Sequence, residues 1–248
     1  MSARADVTPF GYGRRQPGGL VVEPGPLGQP SVVYVDGYVV RFAQLSDARD
    51  RTRSPAILAD VGAIPRGLVA LGRDRYALLL GDGGYLLDLA LEARPRALFC
   101  VVPEREPYGE RLVPVATALA FDRQRGRLYA HVLTYSGRDI VANEIAAYDA
   151  DDGADLERWP LSTAPSVSLV AVLPTGELVV ASQTELVLLD PTSGRESLIA
   201  LLADLEVGAL VGLVWDPATS SLLALDASHG LTRISLTDAA GARLVGAR

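Results

Sequence analysis

Apolar residues along this chain come in short runs separated by turn residues, and the runs recur as a set. Ala118-Leu119-Ala120-Phe121-Asp122, then Leu128-Tyr129-Ala130, matches Gly212-Leu213-Val214-Trp215-Asp216, then Leu222-Leu223-Ala224, 94 positions on without a gap. Two more copies read with a connection two residues shorter: Leu68-Val69-Ala70-Leu71 before Tyr76-Ala77-Leu78, and Val170-Ala171-Val172-Leu173 before Leu178-Val179-Val180. That alignment makes Leu71, Phe121, Leu173 and Trp215 equivalent, at spacings of 50, 52 and 42. A fifth, degenerate copy opens the chain with Gly19-Leu20-Val21-Val22 and Ser31-Val32-Val33-Tyr34-Val35.

Each copy continues into a third apolar segment, such as Glu144-Ile145-Ala146-Ala147-Tyr148 or Glu185-Leu186-Val187-Leu188-Leu189. A turn follows, clearest in Asp190-Pro191-Thr192-Ser193-Gly194, where Pro sets φ and Gly can take a positive φ. A weaker fourth segment closes the unit, as in Ala97-Leu98-Phe99-Cys100-Val101. Four short strands per unit, repeated at this period, predict an all-β chain: a five-bladed β-propeller with about four antiparallel strands per blade. The five units occupy residues 18–248 as one domain and are expected to close one ring. Arg94–Ala97 and Ser197–Leu205 admit helical turns. Residues 1–17, rich in Pro, Gly and Arg, read as a flexible N-terminal extension.

Gly212-Leu213-Val214-Trp215-Asp216-Pro217 and Leu189-Asp190-Pro191-Thr192-Ser193-Gly194-Arg195 resemble blade motifs of the NHL, quinoprotein-like and SMP-30/gluconolactonase-like propellers. The resemblance runs over most of the chain at the level of the blade, and such motifs encode folding more than function. An SMP-30-like lactonase would hold a metal with acidic and Asn side chains near the channel. This chain has one Asn, Asn143, and one acid, Asp226, in the corresponding late loop, with no matched Glu opening the inner strands.

The chain has no Lys; its 23 cations are all Arg, against 30 acids, for a net charge of −7. Lysine Schiff-base chemistry and a P-loop are excluded. Two His and one Cys cannot close a Cys/His zinc site. An acidic surface is a poor counterion for nucleic acid or anionic lipid. Arg14-Arg15 is followed by Gln-Pro-Gly-Gly rather than an apolar run, which argues against a twin-arginine signal, and runs such as Leu198–Ala203 are too short to span a bilayer. The expectation is a cytoplasmic protein without membrane insertion, with Cys100 in its core.

No carboxylate, His or Cys falls within the inner-strand runs, where a propeller glycosidase would need paired acids. Glu23, Asp122 and Asp216 come nearest, and the last two read as turn residues. Asp149-Ala150-Asp151-Asp152-Gly153 imitates a calcium loop with its Gly one place early. His131 reads as a packed strand residue, and Ser228-His229 as neighbours without triad geometry. Gly81-Asp82-Gly83-Gly84 reads as a hairpin turn, not a phosphate cradle. No catalytic residue, metal or cofactor is expected.

What is left is a non-catalytic scaffold that binds a protein partner, as one subunit of a larger assembly. A lectin-like propeller and a lactonase-like hydrolase are the alternatives. Two connections are long and emerge on the same face beside the third copy: Pro103–Pro114, and Tyr135–Ala142, read as a loop of about eight residues. They carry Arg105, Tyr108, Arg111, Tyr135 and Arg138, the residue types of binding hot spots.

Overall fold

The computed structural model describes residues 20–24, 30–44, 56–62, 65–72, 74–88, 92–101, 112–162, 169–208, 210–226, 230–237 and 241–245. Those residues form twenty strands and no helix. The strands make five four-stranded antiparallel sheets, each in chain order. Blade 1 is β1 (Leu20–Pro24), β2 (Pro30–Asp36), β3 (Val39–Gln44) and β4 (Ala56–Asp60). Blade 2 is β5 (Gly67–Gly72), β6 (Arg75–Leu80), β7 (Gly83–Asp88) and β8 (Glu92–Cys100). Blade 3 is β9 (Leu112–Asp122), β10 (Arg127–Ser136), β11 (Asp139–Asp149) and β12 (Asp155–Pro160). Blade 4 is β13 (Leu169–Val172), β14 (Leu178–Ala181), β15 (Glu185–Asp190) and β16 (Arg195–Leu201). Blade 5 is β17 (Leu210–Asp216), β18 (Ser221–Asp226), β19 (Gly230–Thr237) and β20 (Gly241–Val245). The first strands β1, β5, β9, β13 and β17 approach one another in succession and line the centre. The chain is a five-bladed β-propeller.

Two local expectations are corrected. Arg94–Ala97 lies within strand β8, and Ser197–Leu205 is the rest of β16 followed by turns; neither contains helix. The alignment of the copies also shifts by one residue in blades 2 and 4. Phe121 pairs with Leu128 and Trp215 with Leu222, but Tyr76 pairs with Ala70 and Leu178 with Val172. The connection is thus one residue shorter in blades 2 and 4, not two. Because side chains alternate along a strand, Leu71 and Leu173 face the following blade while Phe121 and Trp215 face the preceding one.

Buried apolar residues form four cores, one for each pair of consecutive blades. Val33, Val35, Leu78 and Leu87 join blades 1 and 2. Leu86, Phe99, Leu128 and Tyr148 join blades 2 and 3, with the Phe99 and Tyr148 rings stacked at 3.8 Å. Tyr129, Trp159, Val180 and Leu189 join blades 3 and 4, and Leu173, Leu186, Leu222 and Ile234 join blades 4 and 5. Among the described residues no such core joins blade 5 to blade 1. Cys100, expected in the core, is exposed at the end of the outer strand β8.

Gly81-Asp82 is the tight turn from β6 to β7, as read from the sequence. Gly83 follows at φ 153°, and a Cβ there would stand 2.2 Å from the Phe99 carbonyl oxygen. The glycine lets β8 cross against the turn.

Candidate functional site

Blade 3 is built on a larger scale than its neighbours. Strands β9, β10 and β11 have 11, 10 and 11 residues, against 4, 4 and 6 in β13, β14 and β15. Leu80, the last residue of β6, is equivalent to Val132, so Leu133–Ser136 and their partners project beyond the level at which blade 2 turns. At about 3.3 Å per residue that projection is about 13 Å.

The stretch Tyr135–Ala142 is therefore not a loop. Ser136 pairs with Asp139 around a two-residue turn, Gly137-Arg138, and both strands continue to the tip. Gly137 has φ 60°, the positive value that the first turn position of a II′-type hairpin takes. Strand β9 joins as the third member of the ribbon, with Leu112 opposite Ser136.

Tyr135 pairs with Val113 on one side and with Ile140 on the other, so the three side chains form a row across the ribbon. Val113 and Ile140 are each 39% exposed, and neighbouring Val141 is 55% exposed. Arg138 stands exposed at the tip. Of the five residues singled out from the sequence, the structure brings Tyr135 and Arg138 to one end of this ribbon. Arg105, Tyr108 and Arg111 lie outside the described residues, in the segment that leads into Leu112.

The base of the ribbon carries a buried polar bridge across three strands. His131 on β10 is 0% exposed. Its Nε2–H donates to Asn143 Oδ1 on β11 at 2.6 Å, and its Nδ1 accepts from the Thr117 hydroxyl on β9. Thr117 is the extra residue of a β-bulge: His131 pairs with Ala118, and Val132 with Ala116. Burial holds the imidazole below its ordinary pKa, and the hydrogen bond to Asn143 opposes that shift. Hydroxyl, imidazole and amide stand in the order of a nucleophile, a base and its orienting group, but the imidazole is sealed from solvent. They act as a strut that fixes the ribbon to the blade. The packed His131 of the sequence reading is found; the partnership with Thr117 depends on a bulge that no local motif announces.

Asp122, Asp149, Asp151, Asp190, Asp216, Asp226 and the one Asn are engaged in holding the fold. Asp122, 3% exposed, accepts from the amides of Gln124 (2.9 Å) and Arg125 (3.1 Å) and from Arg125 Nη1 (2.8 Å). Arg125 continues to the Thr175 carbonyl of blade 4 at 3.0 Å, lying across Gly176. Asp190 and Asp216 cap their own turns, and the hydroxyls of Ser193 and Thr219 hold their carboxyls below the usual range. In the acidic loop, Asp149 accepts from the amides of Asp151 (2.8 Å) and Asp152 (3.3 Å), and Asp151 pairs with Arg75 at 3.2 Å. Asp226, 2% exposed, accepts from the Gly208 amide. Glu23 lies on β1, and Ser228 and His229 fall outside the described residues. No three His, Cys, Asp or Glu side chains among the described residues are grouped to hold a metal ion.

Two cavities accompany the ribbon. One of about 390 Å³, on the opposite face between blades 3 and 4, is lined by Arg127, Tyr129, Glu157, Glu177 and Asp190. The other, about 980 Å³, lies between blades 1 and 2 beside Gly81, Asp82 and Tyr85. Neither reaches His131.

Known proteins match this chain in fold alone. No family model and no curated protein matches it. Among solved structures it is similar to the hydrazine synthase of Kuenenia stuttgartiensis, with a TM-score of 0.57 and 14% identity over 89% of this chain and 56% of that one. It is similar also to regucalcin, a calcium-binding protein of Agrobacterium tumefaciens, with a TM-score of 0.61 and 12% identity over 88% of this chain and 70% of that one. The chain thus spans little more than half the length of the hydrazine synthase chain it matches. At these identities both likenesses show the propeller fold alone. No helix among the described residues is long and apolar enough to cross a membrane.

Proposed function

We propose that the chain is a non-catalytic β-propeller that serves as a protein-interaction or scaffold subunit and engages its partner through the blade 3 ribbon. The observation that carries this reading is the Val113–Tyr135–Ile140 row, part-exposed on a projecting ribbon and crowned by Arg138. Tyr and Arg are the commonest anchors of protein interfaces, and an aromatic flanked by β-branched neighbours loses little freedom on binding. The His131 strut adds rigidity, so little ordering cost remains to be met at association. Arg105, Tyr108 and Arg111, in the segment entering at Leu112, belong to the same proposed surface. The partner is a protein, in the cytoplasm, with neither nucleic acid nor membrane insertion involved. A metal-dependent lactonase reading draws no support from Asp122, Asp149 and Asp151, which are directed at turn amides and arginines.

Affinity capture from the native host tests the reading. Tyr135→Ala with Arg138→Ala should abolish capture of a defined partner while leaving the melting temperature nearly unchanged. Asp151→Ala with Asp152→Ala, on the opposite face, should capture it as the wild type does. Loss in the second variant and retention in the first would reject the ribbon.

A further inference from the structure

We infer that the cavity of about 390 Å³ between blades 3 and 4 binds a small zwitterion, a free α-amino acid, and favours a basic one. Tyr129 forms part of its wall and is 0% exposed, yet its hydroxyl has no hydrogen-bond partner among the described residues. The Arg127 and Arg125 guanidiniums are near enough to act on the phenol. A guanidinium only donates, however, so the phenol's own proton still lacks an acceptor. The fold does not need that hydroxyl, because Ala77, Val179 and Leu223 fill the equivalent sheet position in blades 2, 4 and 5. A buried hydroxyl left in this state costs stability, and a ligand that accepts from it removes the cost.

The charges around the cavity name the ligand. Tyr129, Ala147 and Glu157 pair in a row across β10, β11 and β12, and Arg127, two residues before Tyr129, lies on the same face. Blade 4 forms the far wall with Thr175-Gly176-Glu177 and Asp190-Pro191-Thr192. Arg125 is held by Asp122 and the Thr175 carbonyl. Glu177 accepts from the Thr175 hydroxyl and Asp190 from its own turn, but none of the ion pairs among the described residues includes Arg127, Glu157, Glu177 or Asp190. One cation and three carboxylates thus ring the cavity without neutralising one another. A carboxylate seated on Arg127 takes two parallel N–H donors and the Tyr129 hydroxyl proton, and an ammonium group beyond it faces the acids. The surplus of carboxylates favours a second ammonium on the ligand's side chain and opposes an acidic one. The volume falls in the range of small-molecule sites, about 300–1,000 Å³.

Titration calorimetry of the full chain tests the site, with L-lysine and L-glutamate as ligands and propionate, propylamine and glucose as controls. L-Lysine should bind saturably, and L-glutamate and each control at least about ten-fold more weakly. Tyr129→Phe should weaken L-lysine by about ten-fold or more while leaving the melting temperature of the free chain unchanged or raised. Arg127→Gln, at a part-exposed position, should weaken it likewise, and decides the matter if Tyr129→Phe does not fold. Failure of L-lysine to bind, or glucose or propylamine binding as tightly, would overturn the proposal. So would Tyr129→Phe and Arg127→Gln chains that bind L-lysine as the wild type does.

Discussion

Replacing His131 should cost stability in a way that depends on pH. The imidazole is 0% exposed, donates to Asn143 and accepts from Thr117. His131→Ala leaves a cavity worth about 2–3 kcal/mol. Loss of the two hydrogen bonds adds about 1 kcal/mol each, for a total of ~4–5 kcal/mol. His131→Leu refills most of the volume and should cost only about 2 kcal/mol, chiefly for the Thr117 and Asn143 groups left without the imidazole.

The sign of the pH effect follows from burial. The folded pKa lies below the ordinary value of 6.5, so the unfolded chain takes up the proton first as pH falls. The wild type should keep full stability above about pH 6.5 and lose it as pH falls toward the folded pKa, by at most about 1.4 kcal/mol per pH unit. The Asp190 and Asp216 carboxyls, held below the usual range, contribute stability that is lost at lower pH than the histidine's. Urea unfolding followed by the fluorescence of Trp159 and Trp215 at several pH values reads the effect. His131→Leu should abolish the slope, and His229→Gln should keep it. Parallel pH dependence in the wild type and His131→Leu would refute the reasoning, as would a loss below about 1 kcal/mol in His131→Ala.

Asp122→Ala removes a buried carboxylate that accepts three hydrogen bonds and positions Arg125 against blade 4, and should cost about 2 kcal/mol; Asp216→Ala, at a more exposed turn, should cost less in the same urea experiment. Gly83→Ala would place a Cβ 2.2 Å from the Phe99 carbonyl at a φ of 153°, and should lower stability by at least about 2 kcal/mol; a neutral result would mean that β8 does not cross there.

The fold was legible because a propeller repeats its grammar. Each copy carries its own apolar runs and turn signals, and Asp122, Asp190 and Asp216 bond to the turns they were read to form. The one-residue slide in blades 2 and 4 was hidden because Ala70-Leu71 and Val172-Leu173 offer apolar residues on both faces, so hydrophobicity alone does not fix the register. The ribbon was misread as a loop for a related reason. Its turn is Gly137-Arg138 rather than Asn-Gly, and Asp139 and Asn143 interrupt the apolar pattern of β11. Exposure of blade 5 could not be read from Val214, Leu225 and Leu231, which are core-like in type; what distinguishes them from their buried counterparts in blade 3 is that no core faces them among the described residues.

The most direct measurement of how this propeller works is hydrogen–deuterium exchange of the chain with and without its captured partner. Binding through the ribbon predicts slowed exchange in the peptides spanning Leu112–Thr117 and Val132–Glu144, with the turns at Arg125 and Gly176 on the opposite face unchanged. Protection confined to that opposite face, with the ribbon exchanging as in the free protein, would contradict the account.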